Sequence, residues 1–123
     1  MKSVIFNLAK SKLGDLIVGV AFGKMSSILP VKKVSENERA LAFYHPKPSY
    51  KLHVLVVPKK AIKKLSVLDK EDSNYISACY LLIKDVVNKL NLEKGGYSVI
   101  TNGGNKQEVN QLHFHLFSND VHK

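Results

Sequence analysis

The sequence of 123 residues predicts a single α+β domain, in which a five-stranded antiparallel sheet packs against one long helix. Two observations support this fold class. Five short segments rich in β-branched and aromatic residues are separated by turn-forming residues. One segment of four turns carries apolar residues at three- and four-residue spacing, which is typical of an amphipathic helix. The order is β-β-β-α-β-β, and its short connections favour antiparallel pairing.

The first 28 residues differ in their sequence pattern from the rest. They predict an N-terminal arm, helical or extended, with the main domain at residues 29–123. The apolar run at residues 13–22 is shorter than the roughly 18 residues that a membrane span needs. It also contains Asp15 and lacks a clear cleavage site, which argues against an export signal. We predict an amphipathic helix or a dimer-contact arm, with peripheral membrane contact as an alternative.

Three strands are predicted before the helix, at residues 31–34, 39–44 and 52–57. Residues 35–38 are expected to turn the first two strands into a hairpin. Two prolines, Pro46 and Pro48, make residues 45–50 a loop, and Pro58 ends the third strand.

The helix is predicted to begin near two overlapping capping boxes, at residues 66–69 and 69–72, and to end at Gly95-Gly96. Its apolar stripe consists of Tyr75, Ile76, Cys79, Tyr80, Ile83, Val86, Val87 and Leu90. Cys79, the one cysteine, is therefore predicted to be a packing residue rather than a nucleophile. A single cysteine excludes a disulfide framework and favours a reducing compartment, here the cytoplasm.

The last two strands are predicted at residues 97–101 and from 109 or 110 to 118, with a turn at 102–105. Apolar and polar residues alternate in the final strand, so Gln111, His113 and His115 are expected on the face opposite the core. By strand rise the two imidazoles lie roughly 7 Å apart along the backbone. Such a pair can share one phosphate or one metal ion.

The formal net charge of +9 favours anionic partners such as nucleotides or nucleic acid, although a solvated lysine-rich surface is an equally good interpretation. Arg39 is the only arginine, and the lysines are scattered over the chain. The basic segments lack the interleaved aromatic residues of a nucleic-acid platform, so a nucleic-acid partner is disfavoured.

Three ordered segments resemble the histidine triad (HIT) superfamily, most closely its Hint branch of nucleotide-binding phosphoramidases, over residues 31–118. They are the sequence HVLVVPKK from His53, then Asn102-Gly103-Gly104, and then Gln107-Glu108-Val109 leading into Gln111-x-His113-x-His115-x-Phe117. The resemblance implies a HIT-like fold and a symmetric homodimer. It also implies cleavage at the α-phosphate of a nucleoside phosphoramidate or nucleotidyl anhydride, with a purine nucleotide or related phosphate ester as ligand and no cofactor.

The resemblance further implies roles for individual residues. His113 is the nucleophile that forms a nucleotidyl-histidine intermediate, its other ring nitrogen donating to the carbonyl of Gln111. His115 and His53 lie beside the phosphate as the other catalytic histidines. The remaining contacts to the nucleotide, phosphate or leaving group are expected from Asn102, Gln107, Glu108, Gln111 and His45, with the main-chain amides around Glu108 binding the phosphate or leaving group.

Two positions depart from the family pattern and keep other interpretations open. Gln111 replaces the first triad histidine, and it can donate to a phosphate but cannot carry a proton. His45 stands where Hint-like proteins usually have an aspartate that binds the ribose hydroxyls. A nucleotide-binding protein with weak or no catalysis is therefore an alternative. A metal site built from His53, His113 and His115 is another, but no carboxylate or cysteine is placed to complete it, and no metal is predicted.

Overall fold

Five antiparallel strands form one sheet in the described chain, which comprises residues 13–23 and 32–119 of the computed structural model. They are β1 (Lys33–Glu36), β2 (Ala40–Tyr44), β3 (Leu52–Pro58), β4 (Ser98–Ile100) and β5 (Phe114–Ser118). The spatial order is β1-β2-β3-β5-β4, and every neighbouring pair is antiparallel. The predicted α+β class with a five-stranded sheet is therefore confirmed.

The first helix, α1, occupies residues 13–21 and lies on one face of the sheet. Its buried residues Leu16, Ile17 and Val20 pack against alternate residues of β2 and β3, namely Leu41, Phe43, Leu55 and Val57. The described part of the predicted arm is thus an amphipathic helix. The boundary that we predicted at residues 28 and 29 lies outside the described residues. Among the helices within 13–23 and 32–119, none has the length and apolarity to cross a bilayer.

The long helix, α2 (Ser73–Lys89), covers the opposite face of the sheet. The capping box predicted at residues 69–72 is present: the amide of Asp69 donates to Oδ2 of Asp72 at 3.0 Å. Two 3-10 turns, Leu65–Val67 and Lys70–Asp72, lead into α2. The helix therefore begins one residue after the second predicted box.

The predicted end of α2 at Gly95-Gly96 is wrong, because the helix stops at Lys89. Asn91 adopts a left-handed conformation with φ of 55°. The amide of Leu92 then bonds to the carbonyl of Val87 at 2.9 Å, and that of Asn91 to Asn88 at 3.3 Å, which is a Schellman motif. Asn91 thus ends the helix, a role that the sequence pattern assigned to glycine, because asparagine tolerates the left-handed backbone region.

The buried stripe of α2 differs from the predicted one near its centre. Leu82, which the stripe omitted, is fully buried, whereas Tyr80 is 53% exposed and touches Phe114 with its ring edge. Cys79 is fully buried, and burial raises the pKa of its thiol to about 12. This environment fits the predicted packing role.

All seven residues of β3 are buried because α1 and α2 cover both faces of the sheet. Its even-numbered residues Val54 and Val56 pack in the α2 cluster, and Leu55 and Val57 pack in the α1 cluster. By strand alternation His53 faces the α1 side. His115 is paired directly with Leu55 and so lies on that side too.

The start of the last strand was predicted wrongly at residue 109 or 110, because β5 begins only at Phe114. The amide of Leu112 bonds to the carbonyl of Ile62 at 2.7 Å, in the loop after β3, instead of to a neighbouring strand. Gln111 and His113 therefore precede the strand and are positioned by loop contacts rather than by sheet alternation.

Substitution of Ile17 tests the docking of α1. Ile17 is fully buried and Val18 is 36% exposed on the same helix. We expect Ile17→Ala to lower the free energy of unfolding by about 2–5 kcal/mol, because it leaves a cavity against the sheet. Val18→Ala should change it by less than about 0.5 kcal/mol. Urea denaturation measures both, and equal small effects would show that α1 does not stabilise the sheet.

Candidate active site

A cavity of about 250 Å³ opens on the α1 side of the sheet, where β3 and β5 meet the loops that precede β3 and β5. It is lined by Leu13, His45, Ser49, Tyr50, His53, Ile100, Asn102, Lys106, Glu108, Val109, His113 and His115. Six of the eight residues selected from the sequence are thus brought together. The cavity is the place where their side chains can act on one ligand.

The tautomer of His113 is fixed by a main-chain carbonyl. Its Nδ1 lies 2.7 Å from the carbonyl oxygen of Gln111, which can only accept, so Nδ1 carries the hydrogen. Burial lowers the pKa of His113, although the bond to Gln111 opposes that effect. The neutral ring therefore keeps a lone pair on Nε2, which is the requirement for a nucleophile.

His53 and His115 form a directional chain of hydrogen bonds. The amide of Ser49 donates to Nδ1 of His53 at 3.2 Å, so the hydrogen of a neutral His53 lies on Nε2. That Nε2 donates to Nδ1 of His115 at 2.8 Å. The remaining hydrogen of His115 is consequently on its Nε2, where it can be donated to a ligand.

Both of these histidines are held neutral. Burial, followed by the charge of His45, lowers the pKa of His53 to about 4. Burial, followed by the charges of His113, His53 and His45, lowers the pKa of His115 to about 3. A positive charge on any one ring raises the cost of placing a second beside it. At neutral pH the cluster therefore consists of uncharged imidazoles.

His45 joins the same cluster. Its ring stacks on His53 with centroids 4.4 Å apart and planes 27° apart. The amide of Lys47 donates to its Nδ1 at 3.0 Å, so the hydrogen of neutral His45 lies on Nε2. Burial lowers its pKa, as does the charge of His113. This position offers an N–H donor where the resemblance to Hint-like proteins implies a carboxylate acceptor.

Sequence reasoning missed several residues of the cavity, including Ser49, Tyr50 and Lys106. Tyr50 stacks on Phe117 with centroids 3.9 Å apart and meets His53 edge-on at 5.2 Å. Lys106 ends a 3-10 turn, Gly104–Lys106, that begins at the last glycine of the Asn-Gly-Gly motif. The turn composition of that motif was the available signal, because it brings the chain back over the sheet.

Two predicted residues, Gln107 and Gln111, do not have side chains in the cavity lining. Nε2 of Gln107 donates to the carbonyls of Lys63 at 2.7 Å and Val109 at 2.9 Å. Gln111 is 3% exposed, and its amide bonds to the loop after β3. The contacts with phosphate that we predicted for them remain a prediction.

The metal-site alternative receives no support from the geometry. Within residues 13–23 and 32–119, no group of three or more His, Cys, Asp or Glu side chains is arranged to hold a metal ion. His53 and His115 direct nitrogens at each other, 2.8 Å apart, rather than at a common point. Shared coordination needs the lone pairs to converge, which this pairing prevents.

Comparison with known proteins identifies the family. The model of the HIT domain matches residues 27–122. The chain therefore belongs to the HIT domain family, as the sequence pattern predicted.

Curated relatives and solved structures agree with this assignment. An uncharacterized HIT-like protein of Helicobacter pylori is 40% identical over 96 residues, covering 76% of this chain and 89% of its own length. A HIT family hydrolase from Legionella pneumophila superimposes with a TM-score of 0.74 at 27% identity, covering 85% of this chain and 92% of that one. A histidine triad nucleotide-binding protein from Candida albicans has a TM-score of 0.66 at 27% identity, covering 80% and 69%.

The ring tautomers are directly measurable. We expect nitrogen-detected NMR of the imidazoles at pH 7.5 to show Nδ1–H for His113 and Nε2–H for His53 and His115, because each partner bond fixes one hydrogen. His113→Ala and His115→Asn provide the assignments. An Nε2–H tautomer at His113 would contradict the geometry.

The lowered pKa of His53 also predicts how stability depends on pH. Below about pH 6.5 the unfolded chain binds a proton at this ring, whereas the folded chain binds it only near pH 4. As the pH is lowered from about 6.5 to about 4, the free energy of unfolding should therefore decrease, and this group contributes at most about 1.4 kcal/mol per pH unit. Urea titrations at pH 7.5, 6 and 5 measure the slope. His53→Asn should flatten it, and an unchanged slope would contradict the prediction.

Proposed function

We propose that this protein is a nucleotide-binding hydrolase or transferase of the Hint-like branch, with Gln111 in place of the first triad histidine. It cleaves at the α-phosphate of a nucleoside phosphoramidate or nucleotidyl anhydride. The observation that carries the proposal is the bond from Nδ1 of His113 to the carbonyl of Gln111, 2.7 Å, beside the cavity. It leaves Nε2 of a neutral imidazole as the available nucleophile.

The reaction runs in two steps. In the first, Nε2 of His113 attacks the α-phosphorus, the bond from phosphorus to the leaving nitrogen or oxygen breaks, and the leaving group departs after taking up one proton. In the second, water attacks the nucleotidyl-histidine, releases the nucleoside monophosphate and gives up one proton. A transferase replaces this water by another acceptor. The proton balance over both steps of hydrolysis is zero.

The other residues of the cavity supply charge stabilisation and an apolar wall. The Nε2–H of His115, oriented by His53, donates to the phosphate oxygens, and Lys106 adds the positive charge that a neutral histidine cluster lacks. The amides around Glu108 and the side chain of Asn102 lie toward the leaving group. Leu13 and Val109 offer apolar surface to a base, which we propose to be a purine.

Two solved relatives, a HIT family hydrolase and a histidine triad nucleotide-binding protein, support this choice of chemistry. The proposal also includes a homodimer, a cytoplasmic location and catalysis without a cofactor. Lowered pKa values of the histidines fit a nucleophile that works in its neutral form at pH 7.

Substitution of His113 tests the mechanism. We expect His113→Ala to lower turnover of adenosine 5′-phosphoramidate by about a thousandfold or more, since it removes the proposed nucleophile. Quenched-flow mass spectrometry should detect a nucleotidyl adduct on wild-type His113. Asn37→Leu, at the β1–β2 turn, is the control and should turn over normally. Turnover by wild type no better than by His113→Ala would refute the catalytic claim.

A second candidate function, nucleotide binding without turnover, is favoured by the buried side chain of Gln111 and the donor at His45. Without a carboxylate at position 45, the ribose hydroxyls lose the acceptor that the family pattern provides. Calorimetric titration with adenosine monophosphate separates the two functions. Micromolar binding together with no detectable adduct on His113 would select the binding function.

A further inference from the structure

We propose that Gln111 is a positioning residue: its side-chain amide fixes the peptide group whose carbonyl holds the nucleophile His113. The kinetic part of this inference rests on the proposed function, whereas its effect on the His113 tautomer does not. Gln111 does not contact the ligand in this role. It acts through the 2.7 Å bond between its own carbonyl and Nδ1 of His113.

Both ends of the Gln111 amide are used by main-chain groups of the loop after β3. Oε1 accepts from the amide of Ile62 at 3.0 Å, and Nε2 donates to the carbonyl of Lys60 at 2.9 Å. The second hydrogen on Nε2 points to the carbonyl of Leu112 at 3.4 Å. The side chain thereby joins the loop after β3 to the segment before β5.

The loop that receives these bonds is itself anchored. The amide of Leu112 bonds to the carbonyl of Ile62 at 2.7 Å, so a main-chain bond lies beside the two side-chain bonds. The ammonium of Lys60 is paired with the buried carboxylate of Asp72, which belongs to the capping box before α2. The carbonyl of residue 111 is therefore fixed relative to both β3 and α2.

These contacts account for an amide at a position where the family pattern has imidazole. With both hydrogens of Nε2 engaged and the side chain 3% exposed, the side-chain amide of Gln111 has no donor left for a phosphate. The geometry assigns to this position an orienting task that needs one donor and one acceptor and no transferable proton. A glutamine performs it at any pH at which the fold persists.

The test compares Gln111→Met with Asn37→Leu. Asn37 is a matched control, because its side-chain amide also bonds to two main-chain groups, Ala78 and Arg39, outside the cavity lining. With adenosine 5′-phosphoramidate, Gln111→Met should lower kcat by about tenfold or more and change KM by less than about threefold. Nitrogen-detected NMR should show mixed tautomers of His113. Asn37→Leu should change none of these.

With a folded Gln111→Met and an active wild type, any other outcome overturns the proposal. A folded Gln111→Met with wild-type kcat, or with raised KM and unchanged kcat, would contradict positioning; the latter would indicate a phosphate ligand. An equal loss in Asn37→Leu would reduce the effect to general destabilisation. Should Gln111→Met not fold, Gln111→Glu, which keeps the bond to Ile62 and loses that to Lys60, must show the same pattern. If the wild-type protein shows no turnover, the proposed function fails. The positioning role of Gln111 is then tested by the His113 tautomer alone, and an unchanged tautomer in the variant would contradict it.

A histidine at position 111 distinguishes a positioning role from a proton-carrying role. Gln111→His restores the first triad histidine, and positioning by the main-chain carbonyl predicts no increase in kcat over wild type. An increase of about tenfold or more, with the His113 tautomer unchanged, would show that the site lacks a proton carrier at position 111 and would overturn the proposal.

Discussion

The antiparallel pairing of β3 with β5 is the constraint on which the site depends. Leu55 lies opposite His115 and His53 opposite Phe117, so both histidines reach the same face within bonding distance. Because side chains alternate along a strand, a slip of one residue would carry His115 to the other face. The register is held by the buried apolar residues on either side, such as Val54 and Leu116. The packing that stabilises the sheet thus also fixes the histidine pair.

Two helices make that pairing stable by covering the sheet from both sides. The helix α2 buries one set of β3 residues and α1 the other, and this explains why β3 is apolar almost throughout rather than alternating. The single polar residue in the strand, His53, is tolerated because both of its ring nitrogens have partners. A buried histidine in this place is structurally satisfied and chemically oriented by the same two bonds.

Much of this arrangement could be predicted from the sequence, and each failure has a physical cause. Strand periodicity and turn residues located the five strands, and the family resemblance selected six residues that line one cavity. Strand alternation could not show that Gln111 precedes β5, since its position depends on bonds to Ile62 and Lys60, which are about fifty residues away. The end of α2 at Lys89 was missed because the left-handed residue that follows it is Asn91, whereas glycine is the more common signal there. Contacts between distant loops have no local sequence pattern.

The neutrality of the histidine cluster has a consequence for how charge is distributed between the surface and the interior. The chain carries a formal charge of +9, yet the imidazoles around the cavity are uncharged at neutral pH. An anion is then drawn from a distance by the lysines, a long-range attraction that salt weakens. Inside, it meets oriented N–H dipoles and the charge of Lys106 in the cavity lining, and salt screens these short-range contacts much less. Encounter and retention of an anion therefore depend on different groups and respond to ionic strength to different degrees.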